Sequence, residues 1–166
     1  MEGRTMETDS GTIIAHEWLA RLTDTPSWAN ELTVRRLGDA LRDPNMRDMM
    51  ALSLMDPTLD AGELAERARN GMSGPGMLAV RPDRSRLVAA RRELTAMGER
   101  DPGCMPAVAM LCTLIFWLAG DRKGLDEMLS RPIPDDACRI VTRWARDHDL
   151  WPAGVIAPRE YKVPAI

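Results

Sequence analysis

The sequence predicts an all-α protein: a compact orthogonal or repeat-like bundle of about seven helices with an irregular C-terminal tail. Three observations predict it. Strand-favouring aromatics are nearly absent, with one Phe and one Tyr, whereas twelve Met and abundant Leu and Ala favour helices. Apolar residues recur at spacings of three and four between Asp, Pro and Gly punctuation, which is helix periodicity. One run, Val108 to Ala119, is apolar almost all round, and a helix of that kind is stable in water only when other helices enclose it.

Residues 1–9 read as a polar, acidic, flexible lead. The first helix is placed at Ser10 to Leu22, because Ile14, Trp18 and Leu22 repeat at spacing four with Ala15 and Leu19 beside them. Glu17 and Arg21 are set as an i,i+4 ion pair on its other side. Thr25-Pro26 has the form of an N-cap followed by Pro at the first helical position, so a second helix is expected from there to about Arg42. Val34, Leu37 and Leu41 share one of its faces, and Trp28 and Leu32 fall opposite. Such a helix is either packed on both sides or begins later. Asp43-Pro44 repeats the cap-plus-Pro signal and opens a third helix through Met46, Met49, Met50 and Leu54, stopped by Asp56-Pro57. Asp60, with Glu63 three residues on, forms a capping-box pattern before a short helix through Leu64, Ala65 and Ala68. Gly71 is its expected stop.

The stretch GMSGPG, residues 71–76, is the best linker in the chain and marks the candidate subdomain boundary. A short extended piece through Leu78 to Val80 follows. Asp83 caps a long amphipathic helix from Arg84 to about Arg100. Leu87, Ala90, Leu94 and Met97 form its inner stripe, with Arg92, Glu93, Glu99 and Arg100 outside. Asp101-Pro102-Gly103 is a hard stop, and the apolar helix Met105 to Ala119 comes next. Gly120 closes it and Asp121 caps a short helix, Arg122 to Ser130. Pro132 and Pro134 break the chain before a last helix, Asp135 to His148. Ala137, Val141, Trp144 and His148 are read as its inner face and Arg139, Arg143 and Arg146 as an outer ridge. The remainder, with three Pro, is an extended tail over residues 151–166, pinned by Trp151 and Tyr161. The main body is thus one helical domain over residues 10–150. No internal period is convincing enough to define a repeat.

Charge and cysteine usage narrow the function classes. Lys and Arg total 22 against 25 Asp and Glu, a net charge of -3, which provides no broad field for nucleic acid or an anionic membrane. The apolar run of roughly 12 residues is short of the ~20 that cross a bilayer, so no membrane partner is expected. Three widely spaced cysteines without a Cys-x-x-Cys read as reduced thiols in a cytoplasmic protein, and the N-terminus lacks the pattern of a signal peptide.

Chemistry-bearing motifs are sparse. His16 and His148 are the only histidines, too few and too isolated to build a metal site, and are read as surface and capping residues. Cys112 belongs in the core. Cys138 lies near a helix start, where the dipole would lower its pKa, and Cys104 reads as more exposed, yet neither has a base nearby in sequence. Phosphate-loop, His-Glu-x-x-His and Gly-x-Ser-x-Gly patterns are absent. No catalytic, cofactor-binding or metal-binding residue is therefore assigned, and no cofactor is expected. Three Arg clusters carry a nucleic-acid alternative: Arg35, Arg36, Arg42 and Arg47; Arg81, Arg84, Arg86, Arg91 and Arg92; and Arg139, Arg143 and Arg146. LTVRRLGDALRDPNMRDMMAL superficially resembles a helix–turn–helix, but Asp residues interleave every cluster. The methionines Met46, Met49, Met50 and Met55 are read as core filling, with a partner-binding or self-association face as the alternative.

Two stretches, VRRLGDALRDPNMRDMM from Val34 and LIFWLAGDRKGLDEML from Leu114, resemble an uncharacterised actinobacterial family, domain of unknown function 4192. The elements that carry the resemblance are Ala40-Leu41, Asp43 and Arg47-Asp48 in the first, and Trp117, Gly120 and Asp121 in the second. It covers roughly residues 28–150 and implies the C-terminal helical part of longer family members. It also implies an actinobacterial or actinophage origin, in keeping with 20 Arg among the 22 basic residues. The family has no agreed catalytic residues, so none is carried over. The expected function is a non-enzymatic protein-interaction or structural module with a protein partner or self-association. A nucleic-acid-binding accessory using Arg-rich helix faces is the alternative. An enzyme would need a deep polar pocket joining His16 or His148 to carboxylates from distant helices.

Overall fold

A computed structural model describes residues 10–23, 31–70, 80 and 82–152. Among these there are eight α-helices and no strand: α1 (Ser10–Leu22), α2 (Glu31–Ala40), α3 (Pro44–Met55), α4 (Ala61–Asn70), α5 (Arg84–Arg100), α6 (Met105–Leu118), α7 (Arg122–Leu129) and α8 (Ala137–Asp147). The all-α class is as the sequence predicts. The 1–9 lead, the Thr25-Pro26 cap with Trp28, the 71–76 linker, Leu78, Arg81 and the tail beyond Pro152 with Tyr161 lie outside the described residues.

Local capping sets most of the helix boundaries. Asp43 accepts the Asn45 N–H at 2.9 Å with Pro44 in the first turn of α3. Asp60 and Glu63 exchange bonds at 2.9 Å in each direction, a complete capping box ahead of α4. Asp83 accepts from the Ser85 N–H and Ser85 Oγ at the start of α5. Asp101 ends α5 and accepts from the Gly103 N–H within a single 3-10 turn, Pro102–Cys104. Asp121 accepts from the Gly124 N–H at the start of α7.

The C-terminus of α6 closes in a Schellman arrangement. Gly120 N–H bonds the Trp117 carbonyl and Asp121 N–H bonds the Phe116 carbonyl, while Gly120 adopts φ 68, the left-handed conformation that glycine takes without strain.

Two helices act as hubs. α1 packs against α2, α3, α4 and α5, and α6 packs against α3, α5, α7 and α8. α3 and α5 touch both hubs, so a continuous core joins residues on either side of the 71–76 linker. Every residue from Ala107 to Ala119 is buried, as the apolar run requires. Met49 and Met50 are fully buried, with Met46 and Met55 packed partly against the same core.

Polar bonds are few inside and specific. Trp18 Nε1 donates to Ser53 Oγ at 2.8 Å, and Ser53 Oγ donates to the Met50 carbonyl at 2.6 Å, tying α1 to α3. Trp117 Nε1 donates to the Leu150 carbonyl at 2.9 Å, fixing the chain after α8 to α6.

The α1 and α5 surfaces depart from the sequence reading. Glu17 bonds Arg36 across to α2, and Arg21 lies 3.7 Å from Glu93. Glu93 is buried, not outward-facing, because Arg21 and Arg92 both reach it.

Candidate functional site

The most unusual surface belongs to α8, and it arises from the way that helix is held. Asp136 caps it by accepting the Arg139 N–H at 2.9 Å. Its C-terminus closes like that of α6: Asp149 N–H bonds the Arg146 carbonyl and Leu150 N–H bonds the Ala145 carbonyl. Here the left-handed position is Asp149, φ 55, not glycine. Its carboxylate accepts from Trp151 Nε1 at 3.0 Å and pairs with Arg122, and these bonds hold it below the ordinary carboxylate range.

The inward side of α8 is made of the buried Arg139, Thr142 and Ala145 with half-buried Cys138. Arg139 is only 1% exposed. Its guanidinium donates to the carbonyls of Met128, Leu129 and Arg131 at 3.0, 3.2 and 3.3 Å, with Asp135 at 3.5 Å. Met128 and Leu129 are the last residues of α7 and Arg131 follows them, at a helix end that carries partial negative charge; the Met128 and Arg131 carbonyls also accept backbone N–H bonds from Arg131 and Ile133. A planar fork of donors suits three such acceptors better than an ammonium does.

With Arg139 inside, the apolar stripe of α8 turns outward. Ile140 is 55% and Trp144 54% exposed, one turn apart, with Ala137 and His148 exposed on the same side. The inner face read from the sequence (Ala137, Val141, Trp144, His148) is therefore corrected. Of these only Val141 is even half-buried. The outer ridge is corrected at Arg139 for the same reason. The Trp144 and His148 rings lie 4.6 Å apart, and His148 Nδ1 is 2.8 Å from the Trp144 carbonyl. The rim is made of closed ion pairs. Arg143 binds Asp135 with both terminal nitrogens, and Arg146 binds Asp126 and Asp147.

The remaining sequence candidates are dispersed. His16 is exposed on α1, a helix for which α8 is not a principal contact. Among the described residues no group of three or more His, Cys, Asp or Glu is placed to hold a metal. Cys112 is buried in α6 and its thiol is pushed up to about 11, chiefly by burial. Two cysteine expectations are corrected. Cys104 is buried, bonding the Asp101 carbonyl at 3.0 Å, and burial with the nearby Asp101 charge raises its pKa. At Cys138 burial dominates, aided by Asp136 and Asp48, so the thiol rises to about 12 despite the helix start.

Two concavities accompany these features. A cleft of about 960 Å3 separates α2 from the end of α5, and charges of both signs line it: Glu31, Asp39 and Asp101 alternate with Arg35, Arg42 and Arg100. Arg42 bridges Asp39 and Asp101 across it. A smaller trough of about 300 Å3 lies over α6. Neither histidine lines either one.

Comparison of the chain with protein-family models, curated proteins and solved structures finds no match.

Proposed function

We propose that the protein is a non-enzymatic protein-interaction module whose contact face is the outward stripe of α8. The observation that carries this reading is the exposure of Ile140 and Trp144 side by side on an ordered helix. An exposed Trp is among the strongest interface anchors, and hot spots gather around such residues inside a polar rim. The α8 rim has that character, since Arg143 and Arg146 already hold carboxylates of this chain. An apolar partner face meeting this stripe would leave those pairs intact.

The nucleic-acid alternative gains less support. Free phosphate-binding arginines are what it needs, yet Arg36, Arg42, Arg92, Arg143 and Arg146 each hold a carboxylate and Arg139 is buried. The resemblance to the uncharacterised actinobacterial family fits a helical module and adds no site residue.

The test combines sedimentation velocity across a concentration series with a photo-crosslinking side chain at position 144 in cells, using exposed position 66 as control. The expected result is self-association, or one discrete crosslinked species from position 144 alone, abolished by Ile140→Asp. A strictly monomeric protein whose two positions crosslink alike would reject the proposal.

A further inference from the structure

The C-terminal end of the α8 stripe carries a titratable ring. His148 ends the helix, exposed one turn beyond Trp144. Its Nδ1 lies 2.8 Å from the Trp144 carbonyl. A carbonyl oxygen only accepts, so Nδ1 carries a hydrogen and donates it. That leaves Nε2 as the nitrogen that gains and loses a proton. Among the described residues Nε2 makes no hydrogen bond. The Nδ1 bond also sets the imidazole against the Trp144 indole, with centroids 4.6 Å apart and 31° between the ring planes.

The other charges around this end are already matched. α6 and α7 are the helices packed on α8. α6 has no charged residue. On α7, Arg122 and Asp126 pair with Asp149 and Arg146, and Lys123 stands against Glu127. On α8 itself Arg143 holds Asp135, which precedes the helix, and Arg146 holds Asp147. Among the described residues no ion pair involves His148. A cation within about 6 Å of an indole centroid is attracted to the ring face. The partial negative charge of a helix C-terminus favours a cation there as well. In the uncovered protein both effects hold a protonated His148 against Trp144.

We propose that His148 is a proton gate on the α8 contact face: in its neutral form the stripe docks on an apolar partner surface, and in its protonated form docking is opposed. This gate presupposes that α8 is the contact face. Histidine is the side chain whose charge ordinarily changes between about pH 5 and pH 8. Covering the stripe while His148 is protonated takes a hydrated charge out of water and disturbs its contact with the indole. Covering it while His148 is neutral costs neither. The ring contact alone corresponds to about a two- to fivefold change in affinity. The desolvation of the charge acts in the same direction, so binding tightens as pH rises.

The test uses the full chain in two measurements. An NMR pH titration follows the His148 imidazole and the Trp144 indole N–H together. The indole signal is expected to move with the imidazole titration and to stay still in His148→Gln. Association is then measured at pH 5.5, 7.0 and 8.0, by sedimentation velocity and by photo-crosslinking in buffered lysate. The crosslinking side chain replaces Ala137, which leaves the ring pair intact, with position 66 as control. Binding is expected to be roughly threefold or more weaker at pH 5.5 than at pH 8.0. His148→Gln should bind alike at every pH, and His148→Lys should bind weakly throughout. Equal binding by the parent at every pH, a pH dependence that survives in His148→Gln, or binding that tightens as pH falls would overturn the gate and leave the α8 contact face standing. Absence of self-association and of any crosslink specific to position 137 at every pH would overturn both.

Discussion

Arg139 shows how one side chain fixes the character of a surface. Its guanidinium bonds three carbonyls at and just beyond the end of α7 and the Asp135 carboxylate, and these four bonds offset the cost of burying the charge. Arg139→Met keeps the stem and removes the fork, leaving the Leu129 carbonyl without its side-chain donor and taking one of their bonds from the Met128 and Arg131 carbonyls. A loss of about 2–4 kcal/mol is expected, measured by urea unfolding. Arg139→Lys should recover only part of it, since a single ammonium cannot reach all three acceptors. Ser53 makes a smaller case. It accepts the Trp18 N–H in a site closed to water, so Ser53→Ala should cost about 1–3 kcal/mol and alter the Trp18 fluorescence environment. A variant as stable as the parent, with unchanged emission, would show that Trp18 has found another acceptor.

At the scale of the element, the helix ends and the contacts between helices make separate predictions. The Asp83 carboxyl is held below its ordinary range, first by the Ser85 hydroxyl and then by the Arg86 and Ser85 backbone N–H groups. Its contribution is therefore present above the unfolded value of 3.8 and disappears as pH falls through the lowered one. Asp83→Ala should weaken α5 by about 1 kcal/mol at neutral pH. It should also make the acid-side decline of stability shallower, as followed by chemical denaturation between pH 2 and pH 6. Contacts between helices are tighter where glycine permits them. Gly124→Ala drives a methyl into the Phe116 ring, and destabilisation of about 1–3 kcal/mol is expected. Phe116→Leu in the same chain should relieve part of it, and the double-mutant cycle measures the coupling. Additive effects would mean that α7 moves away from α6 without strain.

For the whole molecule, two hubs sharing α3 and α5 make one cooperative core, and the thiols of buried Cys112 and half-buried Cys138 set a limit on the alkaline side. Burial pushes Cys112 up to about 11 and Cys138 up to about 12, from an ordinary value near 9. The unfolded chain loses these protons first. The stability linked to them is complete below pH 9 and is lost as pH rises from 9 through those raised values. The urea midpoint should therefore fall between pH 8 and pH 10.5, and less steeply in Cys138→Ala. At pH 8 both thiols should react with a disulfide reagent far more slowly in the folded protein than in urea. Rapid labelling of the native protein would contradict the burial described for them.

Much of the architecture was legible because it is written in neighbouring residues. Asp43-Pro44, the Asp60/Glu63 box, Asp83, Asp101-Pro102-Gly103 and Gly120-Asp121 place helix ends by bonds spanning two or three residues, and all are realised. The inert core role of Cys112 and the packing of Met49 and Met50 followed from apolar context alone. The candidate surface was not legible in the same way. Periodicity grouped Ala137, Val141, Trp144 and His148, without Ile140, and assigned that face to the wrong side, because polarity alone places arginine outside.

What decided the matter was the end of α7, whose carbonyls draw Arg139 inward and turn Ile140 and Trp144 to solvent. Glu93 and Cys104 went the same way, one buried by Arg21 from a distant helix and the other by the turn that joins α5 to α6. The sequence by itself determined where helices begin, where they stop and which one lies at the centre, since capping and burial of a uniformly apolar run are local in cause. Only the tertiary structure decided which polar groups go inside and which apolar ones remain out, because the partners that settle it come from other helices.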